Sequence, residues 1–93
     1  MTPVRSEECY QRIAAQIPSH MIEGLRNYLE RGIPPGNFLT AVLENDFVNA
    51  VGHADHINLN SLFAWALVLY NELPENAWGS PANVKAWMEA RRK

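Results

Sequence analysis

The segment Leu59-Asn60-Ser61-Leu62-Phe63-Ala64-Trp65-Ala66-Leu67-Val68-Leu69-Tyr70-Asn71-Glu72 constrains this chain more than any other. From Leu62 to Tyr70 it has no polar position. Read as a helix, it is apolar around nearly its whole circumference, and such a helix is normally enclosed by other elements. The run is about half of the ~20 residues that a membrane span needs, so the interior of a protein is its expected home. A buried strand over 66–70 is the competing reading, but Ala64, Ala66 and the leucines favour helix. Fourteen helical residues would reach about 21 Å, most of the way across a domain of 93 residues, whose expected radius of gyration is roughly 12 Å.

Proline and glycine divide the remainder into further helices. Ser6 is placed to cap a helix over 7–16 whose first turn carries Glu7 and Glu8, where the helix dipole favours acids. Ile17-Pro18 breaks it and opens a second helix, 18–31, with Met21, Ile22, Leu25, Tyr28 and Leu29 as its apolar stripe and Gly32 as its stop. The connector Ile33-Pro34-Pro35-Gly36 leads to a short helix over 37–44, with Phe38, Leu39, Val42 and Leu43 as core candidates. Asn45-Asp46 caps another through Val51, and 52–58 reads as a linker in which Asp55, Asn58 or Asn60 caps the apolar helix. Leu73-Pro74 ends that helix. Ser80 and Pro81 open a last one whose buried face is Val84, Trp87 and Met88, with Arg91, Arg92 and Lys93 at its negative end. The expectation is therefore an all-α fold: one domain over 1–93, a compact bundle of five to six short helices around a central apolar helix at about 59–72. It contains no repeats and no low-complexity segments.

Composition narrows the functional classes. A hydrophobic fraction of 47% and a charged fraction of 19% belong to a globular chain. One cysteine, Cys9, cannot form an intramolecular disulfide. Met1-Thr2-Pro3-Val4-Arg5-Ser6-Glu7-Glu8 lacks the apolar stretch of a signal peptide, so a cytoplasmic protein is expected. The net charge of −2 argues against general nucleic-acid binding, which calls for a basic excess. A DNA-binding regulator is accordingly a minor alternative.

The charge is unevenly placed. No Lys or Arg occurs between Arg31 and Lys85, an interval holding Glu44, Asp46, Asp55, Glu72 and Glu75 and thus a net charge of −5. The first 31 residues balance four bases with four acids, and residues 85–93 carry four bases against Glu89. The structural explanation is that the middle builds the core and its few polar positions happen to be acidic. The functional one is that these five acids dock on a basic partner surface, such as that of a nucleic-acid-handling protein, with charge steering the encounter. Five acids are too few for nucleic-acid mimicry.

Candidate chemistry is sparse. His53-Ala54-Asp55-His56 puts two imidazoles three residues apart, close enough to share a metal if the segment were helical. A small metal-dependent hydrolase using His53, Asp55 and His56 is the enzymatic alternative. Against it, Gly52 and Asp55 suggest a linker, and only His20 lies elsewhere to complete a ligand set, whereas HD-type phosphohydrolases draw ligands from several helices. Cys9 as a nucleophile would need a lowered pKa, which Glu7 and Glu8 oppose; helix packing is the better reading. No phosphate loop, nucleophile elbow or paired-carboxylate motif is present. The chain is therefore expected to be no enzyme and to need no cofactor or metal. Trp78, in the connector Pro74-Glu75-Asn76-Ala77-Trp78-Gly79-Ser80-Pro81, is either pinned under the last helix or exposed to a partner; pinning is favoured in so small a domain.

The stretch Gly36-Asn37-Phe38-Leu39-Thr40-Ala41-Val42-Leu43-Glu44-Asn45-Asp46 is followed by Ala54-Asp55, Leu69-Tyr70-Asn71, Pro74, Trp78-Gly79-Ser80-Pro81 and Trp87. Together they resemble a family of short, uncharacterised helical proteins of bacterial chromosomes, prophages and plasmids, over about residues 17–87. Asn37 departs from the pattern, where a second Gly is expected, as does Phe47, where Leu is more usual; His56 is not part of it. The resemblance implies no catalytic residue. It implies a setting: an accessory protein of a phage or mobile element that binds a host or phage protein, including defence nuclease complexes of the kind that anti-CRISPR proteins inhibit. Homodimerisation through a helix face is a further expectation, since so many side chains call for burial.

Overall fold

A computed structural model describes residues 5–92. The leader expectation on Met1 to Val4 and the terminal cation Lys93 lie outside the described residues. Among these, all regular structure is helical: α1 (Glu7–Ala14), α2 (Ile22–Arg31), α3 (Asn37–Leu43), α4 (Phe47–His53), α5 (His56–Leu59), α6 (Leu62–Glu72) and α7 (Pro81–Arg91), with single 3₁₀ turns at Ser19–Met21 and Glu75–Ala77. The all-α expectation holds. The radius of gyration is 12.2 Å, and no helix among the described residues is long and apolar enough to cross a membrane.

Local chemistry explains most boundaries. The Ser6 side chain accepts from the Cys9 amide at 3.1 Å and starts α1, which buries Cys9, Tyr10 and Ile13. Pro18 then forces a break, and the predicted second helix begins as a 3₁₀ turn before settling into α2. Gly32 ends α2 in the left-handed region at φ 67°, with a backbone so close to α7 that a Cβ there would lie 2.6 Å from the Met88 carbonyl oxygen. Asn45 takes φ 62° between α3 and α4, and Asp46 caps α4 by accepting from the Asn49 amide. Ser80 caps α7 with Pro81 in its first turn, as its sequence requires.

The predicted linker 52–58 is more structured than expected. Helix α4 runs on through Gly52 and His53, and His56–Leu59 forms a one-turn helix capped by Asp55. The apolar helix consequently starts at Leu62 rather than Leu59, and neither Asp55 nor Asn58 caps it. Asn58 is instead buried, its carboxamide oxygen accepting from the Trp65 indole at 3.3 Å. A buried indole nitrogen needs such a partner, so Asn58 is held in the core by Trp65.

The core joins Tyr10 and Ile13 of α1, Leu25, Tyr28 and Leu29 of α2, Phe38, Leu39, Val42 and Leu43 of α3, Trp65, Val68 and Leu69 of α6, and Val84 and Trp87 of α7. Phe38 meets Trp65 edge to face, with ring centroids 6.0 Å apart. Two long-range bonds tie the C-terminal part of the chain to α2: the Tyr28 hydroxyl donates to the Ala77 carbonyl at 2.7 Å, and the Trp87 indole donates to the Tyr28 carbonyl at 3.2 Å.

The expected enclosure of the apolar helix also fails. Helix α6 is not enclosed on all sides: Trp65, Val68 and Leu69 are buried, while Phe63, Ala66, Leu67 and Tyr70 face outward, Phe63 at 78% and Tyr70 at 81% exposure. Six neighbouring helices of four to eleven residues are too short to wrap a strut completely.

Candidate interaction surface

The structure divides the five acids of the middle segment. Glu44 caps the C-terminus of α3 and Asp46 the N-terminus of α4; with Asn37, Thr40, Asn49 and His53 they line a shallow polar depression. Asp46 also accepts from the Asn49 carboxamide at 2.6 Å. Asp55 accepts from the Asn58 amide at 2.7 Å, and its other oxygen lies 3.1 Å from His20 Nε2. The Asn58 amide, and then His20, hold the Asp55 carboxyl below its usual range. Glu75 lies exposed in the 3₁₀ turn after α6.

Glu72 is turned inward. Its carboxylate meets the Arg12 guanidinium at 3.0 Å and accepts from the Cys9 thiol at 3.4 Å, while Arg5 donates to its backbone carbonyl at 2.7 Å. Arg12 foremost lowers the Glu72 carboxyl below the ordinary range. Glu72 thus fastens α6 to α1, and its charge is matched within the chain. Burial first, then the Glu72 carboxylate, raises the Cys9 thiol, the reverse of what a nucleophilic cysteine needs.

The structure does not gather the histidine cluster. His53 ends α4 and His56 begins α5, with Ala54 extended between them. His53 and Asp55 share a depression with His20, but among the described residues no three His, Cys, Asp or Glu side chains converge into a group able to hold a metal. Trp78 is half-buried against the core, and its carbonyl accepts from the Asn83 carboxamide at 3.0 Å.

The feature that sequence reasoning missed is apolar. On α4, Phe47 and Val48 are 69% and 78% exposed and Val51 more than a third, and at 100° per residue the three occupy one arc of about 100°. Ala50, about 60° beyond Phe47 and outside that arc, is buried. Between α3, α4 and α6 runs a groove of about 310 Å³, with Val42, Ala50, Trp65 and Leu69 among its lining and Phe47 and Phe63 beside them. Asp46 lies at its rim. Exposed apolar side chains scattered singly need no explanation, but a run of them around a groove is a candidate interaction surface. The available signal was the pattern Phe47-Val48-x-x-Val51 beside an interior Ala50, which gives a seven-residue helix more apolar side chains than one buried face can take. No protein-family model matches the chain, and no curated protein or solved structure was found to be similar to it.

Proposed function

We propose that this protein is a non-enzymatic, cytoplasmic protein-binding module that engages its partner through the outer face of α4 and the acids at that helix's N-terminal end. The observation that carries the reading is the exposure of Phe47, Val48 and Val51 on one arc of α4, directly after Glu44 and Asp46. An apolar ridge supplies the area that loses water on binding, and the two carboxylates supply orientation and faster encounter with a basic partner surface. Asp55 and Glu72 are committed to His20 and Arg12 and contribute less than the sequence suggested.

The setting rests on the sequence resemblance: an accessory protein of a phage or mobile element, with a host or phage protein as partner, including a nucleic-acid-handling defence complex. The test is affinity capture from the native host with wild type and two surface variants. Val48→Asp places a carboxylate on the ridge and should abolish capture of the specific partner. Glu44→Gln with Asp46→Asn removes both charges yet keeps a capping side chain, and should weaken binding while reducing its salt sensitivity. A partner captured equally by all three proteins would sink the proposal.

A further inference from the structure

We infer that the outward face of α6 pairs with the same face of a second copy, antiparallel and about a two-fold axis. This surface borders the α4 ridge at the groove between Phe47 and Phe63 and shares only Phe47 with it.

The inward side of α6 is set by Trp65, Val68 and Leu69. The opposite side carries Phe63, Ala66, Leu67 and Tyr70, at the i, i+3, i+4, i+7 spacing of a helix–helix seam. No charged side chain stands in that seam, so two copies of a chain with net charge −2 meet there without burying like charges. The order of sizes is self-complementary. Large rings stand at both ends, with the small Ala66 and the flexible Leu67 between them. In an antiparallel pair whose axis passes between positions 66 and 67, Phe63 packs against the partner's Tyr70, and Ala66 against the partner's Leu67. Each pairing occurs twice, as a two-fold interface requires. Ala66 lets the helices approach, and each Tyr70 hydroxyl stays at the edge in water.

The area agrees with this occupant. The four seam residues and the adjoining Phe47 expose on the order of 600 Å² per chain, so pairing would remove at most about 1,200 Å² from water, the lower end of stable interfaces. The mostly apolar character of the patch matches a homodimer rather than a transient contact, whose interfaces are more polar.

Sedimentation equilibrium on the purified protein alone tests the inference, and no other partner enters. Wild type should show about twice the monomer mass of 10.5 kDa, dissociating on dilution. Ala66→Glu, at an exposed helical position that tolerates glutamate, should raise the dissociation constant at least ~100-fold by setting two carboxylates at the seam. Tyr70→Ser should raise it at least ~10-fold. It provides a second reading if circular dichroism shows that Ala66→Glu disturbs the fold. Adding Leu67→Lys to Ala66→Glu should restore the dimer, because in this register each new carboxylate faces a new ammonium across the seam. A wild-type monomer at all concentrations overturns the inference, as does a dimer indifferent to both single variants. A monomeric Ala66→Glu that Leu67→Lys fails to rescue overturns the antiparallel register.

Discussion

Tyr28 shows how much a single side chain organises here. Its ring is fully buried in α2, its hydroxyl holds the 3₁₀ turn at Ala77, and its backbone carbonyl takes the indole proton of Trp87. Tyr28→Phe keeps the ring and leaves the Ala77 carbonyl without its donor, so a loss of about 1–2 kcal/mol is expected in urea unfolding. An unchanged midpoint would mean that water replaces the hydroxyl. Cys9 offers a second measurement at this scale. With the sulfur buried and the thiol raised by burial and by Glu72, a thiol reagent at neutral pH should modify the native protein slowly and the denatured protein at once. Of these two residues, the sequence marked Tyr28 as core by its spacing in the 18–31 stripe and Cys9 as a packing residue. The partners Ala77, Trp87 and Glu72 were not legible, because each lies at least 49 residues away and periodicity carries no long-range information.

Among the elements, those with strong punctuation were readable and those without it were not. Ser80-Pro81 gave the start of α7, Ser6 that of α1 and Gly32 the end of α2, since each is a local backbone requirement met by a particular side chain or by its absence. Ser80→Ala should therefore cost about 1 kcal/mol, seen as a fall of ~4–8 °C in thermal midpoint, whereas Ser80→Asp should restore most of it. Helix α5 escaped notice because four residues are too few to show a period. The start of α6 was misplaced because Asn58, a good cap by residue type, serves Trp65 instead. The orientation of α6 could not be read at all. With Phe63, Leu67 and Tyr70 on one side and Trp65, Val68 and Leu69 on the other, the helix has no polar face to say which side is solvent. The candidate surface was hidden for the same reason: sequence reasoning looked for acids, and the informative residues were apolar ones with nowhere inside to go.

At the scale of the whole molecule, acid sensitivity follows from the carboxylates that join helices. Glu72 links α6 to α1, Glu7 links α1 to α2 through Arg26, and Asp55 links the start of α5 to His20. All three carboxyls lie below their ordinary values: Glu72 and Glu7 because of Arg12 and Arg26, and Asp55 because of the Asn58 amide and then His20. A depressed folded pKa contributes stability that is complete above the unfolded value, near 4.5 for Glu and 3.8 for Asp, and is lost as pH falls through the folded value. Stability should thus be flat above about pH 6 and decline progressively below about pH 4.5. Glu72→Gln should be less stable than wild type at neutral pH and should lose less on acidification, a difference that urea midpoints across this range would reveal. A variant losing as much as wild type would place the acid sensitivity elsewhere.

The docking of α7 against α2 also has a consequence for synthesis. The Trp87 indole that caps the Tyr28 carbonyl is made 59 residues after it. Until then Leu25, Tyr28 and Leu29 have lost no water to that neighbour, and Gly32 has no helix to press against. A ribosome carrying this chain therefore holds a nascent product with part of its apolar stripe uncovered until α7 has been made. The window for premature self-association or chaperone capture closes when α7 emerges, and synonymous codons that slow elongation before Pro81 would lengthen it.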